Sequence, residues 1–239
     1  MENWAIPKIV SRSQWLAERR TLLEIEKEAT RNLDAVRAAR RRLSMVEIEK
    51  EYIFEGPGVE ISLLDLFEGR RQLIVHHFMY FDESSRFCPS CSLEADQNYN
   101  RFLSEKLHKK SVTLVVISRA PIERIQLEKE KKNWDFQFYS SQKSDFNYDF
   151  QATLDPKRNQ EYNYEGMEIK GWLKEYEGDL PGKSVFLRDG NKVYHTYSSF
   201  ARGLEFAATH YNYLDLTPYG RQESWEDSPK GWPQNQNYE

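Results

Sequence analysis

Two apolar runs constrain this chain more than any other feature. Residues 73–81 (Leu-Ile-Val-His-His-Phe-Met-Tyr-Phe) and 111–118 (Ser-Val-Thr-Leu-Val-Val-Ile-Ser) are short and almost continuously apolar, and the segment between them has helical spacing. Strands buried on both faces of a sheet read this way. Strand, helix, strand in this order makes a βαβ unit with one accepted hand, so an α/β sheet is expected. Between the runs, Ala95, Tyr99, Phe102 and Leu103 fall close to one face and Leu107 continues it, which predicts a single helix over residues 89–110.

The chain's only two cysteines, Cys88 and Cys91, sit between the first run and that helix as Cys-Pro-Ser-Cys. A disulfide-built secreted scaffold needs several spaced pairs, and a structural zinc site needs four ligands; neither pattern is present. Placement offers another role. Cys88 falls at the N-cap, Pro89 suits the first helical position, and Cys91 lies one turn inside, so the unpaired N–H groups and the dipole point at the Cys88 sulfur. A helix N-terminus lowers a thiol pKa, and the thiolate is the reactive species. Cys88 is then the expected nucleophile and Cys91 the resolving thiol, with Phe87, Pro89 and Ser90 flanking them. The strand's carboxyl end is also where open α/β sheets place their chemistry.

Around this nucleus the sequence reads as one domain with an added helix. Trp15, Leu22, Ala29 and Val36 recur every seven residues, flanked by Leu16, Leu23 and Leu33, which predicts a helix over residues 13–43 capped by Ser13. A hairpin is expected over residues 51–62 about Gly56-Pro57-Gly58, then a short helix from Ser62 through Phe67 ended by Gly69. Pro121 opens a helix to about residue 132, and residues 134–139 form a further strand. Residues 140–179 are polar, aromatic-rich and poorly periodic, as in a lid or a surface insertion. Residues 183–197 make a hairpin turning at Asp189-Gly190-Asn191, and residues 200–214 a closing helix. The expected organisation is a helical extension (1–48), a central domain (49–217) with an insertion at about 140–179, and a C-terminal tail (218–239).

Composition narrows the partners. With 34 Lys and Arg against 38 Asp and Glu, the net charge of −4 gives no pull toward nucleic acid or an acidic membrane. No apolar stretch approaches the roughly 20 residues of a spanning helix, and no secretory leader opens the chain, so a cytoplasmic protein is expected. His76 and His77 are adjacent in a strand and must face opposite sides. Glu94 and Asp96 could accept the Cys91 proton, but the helix spacing puts them on the solvated face. The Phe146–Phe150 aromatics are read first as packing. His195, in the C-terminal hairpin, could join the cysteines in a soft-metal site as in copper chaperones, though those space their cysteines differently. The Leu stripe of the first helix could pair with a second copy, giving a dimeric interaction module.

The chain resembles a bacterial thioredoxin-like family of unknown function whose members are described as dithiol/disulfide oxidoreductases. The resemblance runs through Ser13-Gln-Trp-Leu16, Lys50-Glu-Tyr-Ile-Phe-Glu-Gly-Pro57, Gln72-Leu-Ile-Val-His-His-Phe-Met79 and Cys88-Pro-Ser-Cys-Ser92. It continues in Ser144-Asp-Phe-Asn-Tyr-Asp-Phe150, His195-Thr-Tyr-Ser198, Ala201-Arg-Gly-Leu204 and Tyr213-Leu-Asp-Leu-Thr-Pro218. What the resemblance implies is a thioredoxin-like fold, a central mixed sheet flanked by helices, with an N-terminal helix and hairpin added. It implies a redox-active Cys88–Cys91 pair with no further cofactor or metal, acting on a protein disulfide or a small thiol or peroxide. Phe87 stands where thioredoxins carry Trp, and Pro181 is nearest to their cis-proline, so a trans Leu180–Pro181 bond would count against thioredoxin-like docking. A thiol peroxidase is the enzymatic alternative, with Ser85 three residues before Cys88 in place of Thr.

Overall fold

A computed structural model describes residues 4–158, 161–166 and 175–235. The chain divides into two compact units, residues 45–209 and residues 1–44 together with 210–239.

The larger unit is built on an eight-stranded sheet. Its strands are β1 (Val46–Glu47), β2 (Ile53–Gly56), β3 (Val59–Ser62), β4 (Gln72–His77), β5 (Val112–Ser118), β6 (Phe138–Ser140), β7 (Gly182–Asp189) and β8 (Lys192–Phe200). They lie in the order β1-β8-β7-β4-β5-β6-β2-β3. The two apolar runs are the parallel neighbours β4 and β5, in register from Gln72↔Val112 to His77↔Ile117. Strand β7 pairs antiparallel on the other side of β4, setting Lys183 opposite His76, and β8 follows it in a hairpin. This mixed sheet flanked by helices is the expected thioredoxin-like arrangement.

The β4–β5 crossover is two helices rather than one, α2 (Pro89–Asn98) and α3 (Arg101–His108). Asn100 breaks the run: its side-chain oxygen accepts the Leu103 amide at 3.0 Å, and a new cap here competes with continuation of α2. Helix α4 (Ile122–Lys132) begins after Pro121 as the sequence predicts, whereas the strand expected from residue 134 starts only at Phe138. The expected closing helix is a 3-10 stretch, Ala201–Ala207, then a short helix, Thr209–Leu214.

Alternation along the strands divides the core between two faces. Phe54, Phe67, Leu73, Val75, Ile117, Phe146 and Phe186 form one layer, and Phe78, Phe87, Cys91, Ala95, Val116, Ile125 and Phe138 the other. Phe146 and Phe150 are buried, so this part of the 140–179 segment is packing. Residues 159–160 and 167–174 of that segment lie outside the described residues.

In the smaller unit, α1 (Arg12–Arg40) is capped two positions earlier than expected, because Ser11 and not Ser13 accepts the Gln14 amide, and it ends at Arg40 rather than residue 43. No Gly or Pro interrupts it, and Arg37 and Arg40 in its last turn suit the dipole. It has no buried residue. The expected tail is anchored here: Tyr219 meets Trp4 and Trp232 edge-on, and its hydroxyl donates to the Ala5 carbonyl at 3.0 Å.

Candidate functional site

Local structure presents Cys88 as the sequence predicts. A two-residue pairing of Tyr80–Phe81 with Arg86–Phe87 turns the chain back after β4, and the Cys88 amide closes it on the Met79 carbonyl at 3.1 Å. Cys88 is extended (φ −61°, ψ 128°) as the N-cap of α2, and Pro89 follows in the first turn. Phe87 is buried, its ring against Phe78, Tyr80 and Phe138, which seats the motif on the core.

Both sulfurs are thiols, Cys88 9% exposed and Cys91 3%. Their protonation is biased in opposite directions. The Cys91 thiol beside it, with smaller help from the backbone of Cys91 and Ser90 in the first turn, lowers the Cys88 pKa against burial to about 6. The same thiol–thiolate hydrogen bond, with burial and the Cys88 charge, holds the Cys91 proton well above the ordinary thiol range. Pairing separates two chemically identical groups into a thiolate and a proton-bearing partner.

Behind Cys91 lies a polar network that takes in Glu94, which helix spacing places on the solvated face. Glu94 is only 12% exposed; Lys183 Nζ, from β7, sits 2.6 Å from its Oε1 and 2.9 Å from its Oε2. The Tyr99 hydroxyl donates to Glu94 Oε1 at 2.6 Å and lies 2.7 Å from His76 Nδ1. Since the single phenolic proton goes to Glu94, His76 must donate from Nδ1, leaving Nε2 an acceptor that is buried and unpaired. Burial, followed by the nearby Lys183 charge, pushes the His76 pKa well down, and the ring is neutral. Asp96, by contrast, does face outward, holding Lys132 at 2.9 Å and the Trp134 indole at 2.7 Å. One signal for this network was present: Lys183 is a cation inside the otherwise uncharged stretch Leu180-Pro-Gly-Lys-Ser-Val-Phe-Leu187.

The two adjacent histidines do face opposite layers. His77 Nε2 is 2.9 Å from Ser184 Oγ, which is 2.8 Å from Ser198 Oγ, which is 2.8 Å from His195 Nε2. His195 thus belongs to the layer of Phe150 and Phe186, while the cysteines lie in the other. Among the described residues no group of three His, Cys, Asp or Glu side chains could hold a metal ion. The Leu180–Pro181 bond is trans, the arrangement that counts against thioredoxin-like docking.

A cleft of about 730 Å³ opens just beyond the carboxyl ends of β4 and β5. Tyr80, Phe81, Arg119, Tyr148, Tyr176 and Asp179 are among its lining residues. Asp179 is buried, accepting from Thr153 Oγ1 at 2.6 Å, with Arg119 Nη1 at 3.5 Å. Tyr80 also packs in the cysteine layer, and Tyr176 feels the Cys88 charge.

The model of the bacterial protein family of unknown function DUF899 matches residues 5–238. The chain belongs to this family. Among curated proteins none matches it. Solved structures similar to this DUF899 chain include peroxidoxin BcpB from Mycobacterium tuberculosis, 13% identical, covering 70% of this chain and 94% of its own, with a TM-score of 0.48. The C84S mutant of Xanthomonas campestris peroxiredoxin Q is 13% identical, covering 68% and 89%, with a TM-score of 0.46. A yeast mitochondrial 1-Cys peroxiredoxin is 16% identical, covering 78% and 84%, with a TM-score of 0.37. No described helix is long and apolar enough to cross a membrane.

Proposed function

We propose that this DUF899 protein is a thiol/disulfide oxidoreductase in which Cys88 attacks and Cys91 resolves. The observation that supports it most is the opposite bias of the two thiols, about 6 for Cys88 and well above the ordinary range for Cys91. At neutral pH this supplies one thiolate and one thiol in hydrogen-bond contact.

In the reducing direction, the Cys88 thiolate attacks one sulfur of a disulfide RS–SR. The S–S bond breaks, RS⁻ leaves and takes a proton from water, and Cys88–S–SR forms. Cys91 then loses its proton and attacks the Cys88 sulfur; the Cys88–Cys91 disulfide forms and the second RS⁻ leaves. The substrate gains two electrons, the protein dithiol loses two, and an external dithiol restores it. Glu94, the carboxylate whose field Cys91 feels, is the acceptor we assign to the Cys91 proton. Lys183 and Tyr99 hold that carboxylate in place from two sides.

The test is turnover of neutral bis(2-hydroxyethyl) disulfide with dithiothreitol, measured above the rate of dithiothreitol alone. Cys88→Ser is expected to abolish it, and Cys91→Ser, treated with the disulfide and no dithiothreitol, to retain a mixed disulfide on Cys88 visible as a mass gain. Turnover that survives Cys88→Ser would overturn the proposal. Peroxide consumed much faster than any disulfide would replace it by a thiol peroxidase.

A further inference from the structure

The cleft beside the motif has a composition that the exchange chemistry does not require. Five carboxylates line it, Asp82, Glu83, Glu175, Glu177 and Asp179, against the two guanidiniums of Arg86 and Arg119. Arg119 is already engaged, with Nη1 3.5 Å from Asp179 and 4.0 Å from Asp82 and its guanidinium over the Tyr148 ring. Asp82, Glu83, Glu175 and Glu177 are exposed at the rim. The walls between them are aromatic, Phe81 with the Arg86 guanidinium over its ring, Tyr148 with those of Arg119 and Arg158, and Tyr80 and Tyr176 on the side of the thiols.

Carboxylates and aromatic faces together suit one class of ligand, an alkylammonium, which gains from the negative field and from cation–π contact and brings little bulk. The volume, about 730 Å³, is that of a small-molecule site. Position joins it to the thiols. It lies past the carboxyl ends of the parallel pair, where α/β sheets bind ligands, and Tyr80 and Tyr176 are shared between the cleft and the surroundings of Cys88.

We propose that this cleft docks the substrate of Cys88 and selects disulfides that carry an ammonium group close to the sulfur, as aminoalkyl disulfides do. This rests on the exchange proposal and adds the substrate class to it. The ammonium sits among the rim carboxylates on the Tyr80 and Tyr176 side of the cleft while the disulfide reaches Cys88, and the electron and proton balance is that of the exchange above. A disulfide bearing carboxylates is repelled by the same rim.

Three substrates separate the possibilities: cystamine (dication), 3,3′-dithiodipropionate (dianion) and bis(2-hydroxyethyl) disulfide (neutral), each reduced by the full-length protein with dithiothreitol. Each rate constant is divided by that for the neutral disulfide on the same protein, so a general loss of activity cancels. Cystamine should exceed the dianion by about tenfold or more in kcat/KM at low salt, with the ratio shrinking as salt rises. In D82N/E83Q/E175Q/E177Q the ratio should fall to within about threefold of that shown by dithiothreitol alone with the same disulfides, which carries their difference in leaving-group thiol pKa. Neutral turnover without a cation preference, or a preference that survives removal of the rim charges, overturns the substrate class and leaves the exchange chemistry standing. Failure to reduce any of the three overturns both.

Discussion

Lys183 Nζ lies 2.6 Å from Glu94 Oε1, joining strand β7 to the helix that begins at Cys88, with both side chains almost out of solvent. A charge pair in this setting tolerates the loss of both members far better than the loss of one, because a single survivor is left buried without compensation. Glu94→Gln and Lys183→Met should each lower the unfolding free energy by about 3 kcal/mol. The double variant should lose clearly less than the two single effects added, as a double-mutant cycle by urea unfolding would read. Additive losses would mean that the pair is not coupled.

The buried acid Asp179 and the buried base His77 act in opposite directions on acid stability. Burial raises the Asp179 pKa from 3.8 to about 6, so its contribution is full below 3.8 and is lost as pH rises through 6. Burial lowers the His77 pKa from 6.5 to about 4, so stability is lost as pH falls from 6.5 to 4. The two slopes oppose each other in the same window. Asp179→Asn removes one of them, and the stability of the wild type relative to this variant should fall by roughly 3 kcal/mol between pH 4 and pH 6. A difference that stays flat with pH would show that Asp179 does not titrate there.

Gly182 begins β7 with no room for a side chain. A Cβ there would stand 2.8 Å from two carbons of the Phe200 ring. Gly182→Ala should cost about 1–3 kcal/mol in thermal or urea unfolding through overpacking, since Phe200 is itself buried. An unchanged unfolding midpoint would show that the ring moves aside freely.

Helix α1 carries Trp15, Leu22, Leu23, Ile25, Leu33 and Val36 at exposures of 38–61%. The period of seven drifts around a straight helix in the sense that a left-handed supercoil corrects, and α1 spans about 43 Å at 1.5 Å per residue. Self-association through α1 is the expected outcome: a concentration-dependent dimer in sedimentation, converted to monomer by Leu22→Glu with Val36→Glu. A wild type that stays monomeric at ~50 μM, some fifty times a micromolar Kd, would exclude a seam of that strength.

What the sequence disclosed was governed by local periodicity. β4, β5, α4 and the β7–β8 hairpin are legible because their apolar spacing and turn residues act within a few positions. Cys88 at the N-cap is legible for the same reason. The break between α2 and α3 was not, since Asn100 reads as an ordinary surface residue until its cap forms. Glu94 was misplaced because helical phase alone cannot foresee a lysine arriving from β7, 89 residues later in the chain. The opposite faces of His76 and His77 followed from strand alternation, but their partners, Tyr99 and Ser184, come from sheet and crossover pairings that no local pattern encodes.

The most direct test of the account is the pH dependence of alkylation at each cysteine of the reduced protein, with the modified residue located by mass spectrometry. Cys88 should react first, with a midpoint near pH 6, and Cys91 only after it, since burial still disfavours its thiolate once the Cys88 charge is gone. A Cys88 midpoint at or above that of a model thiol, or prior modification of Cys91, would contradict it.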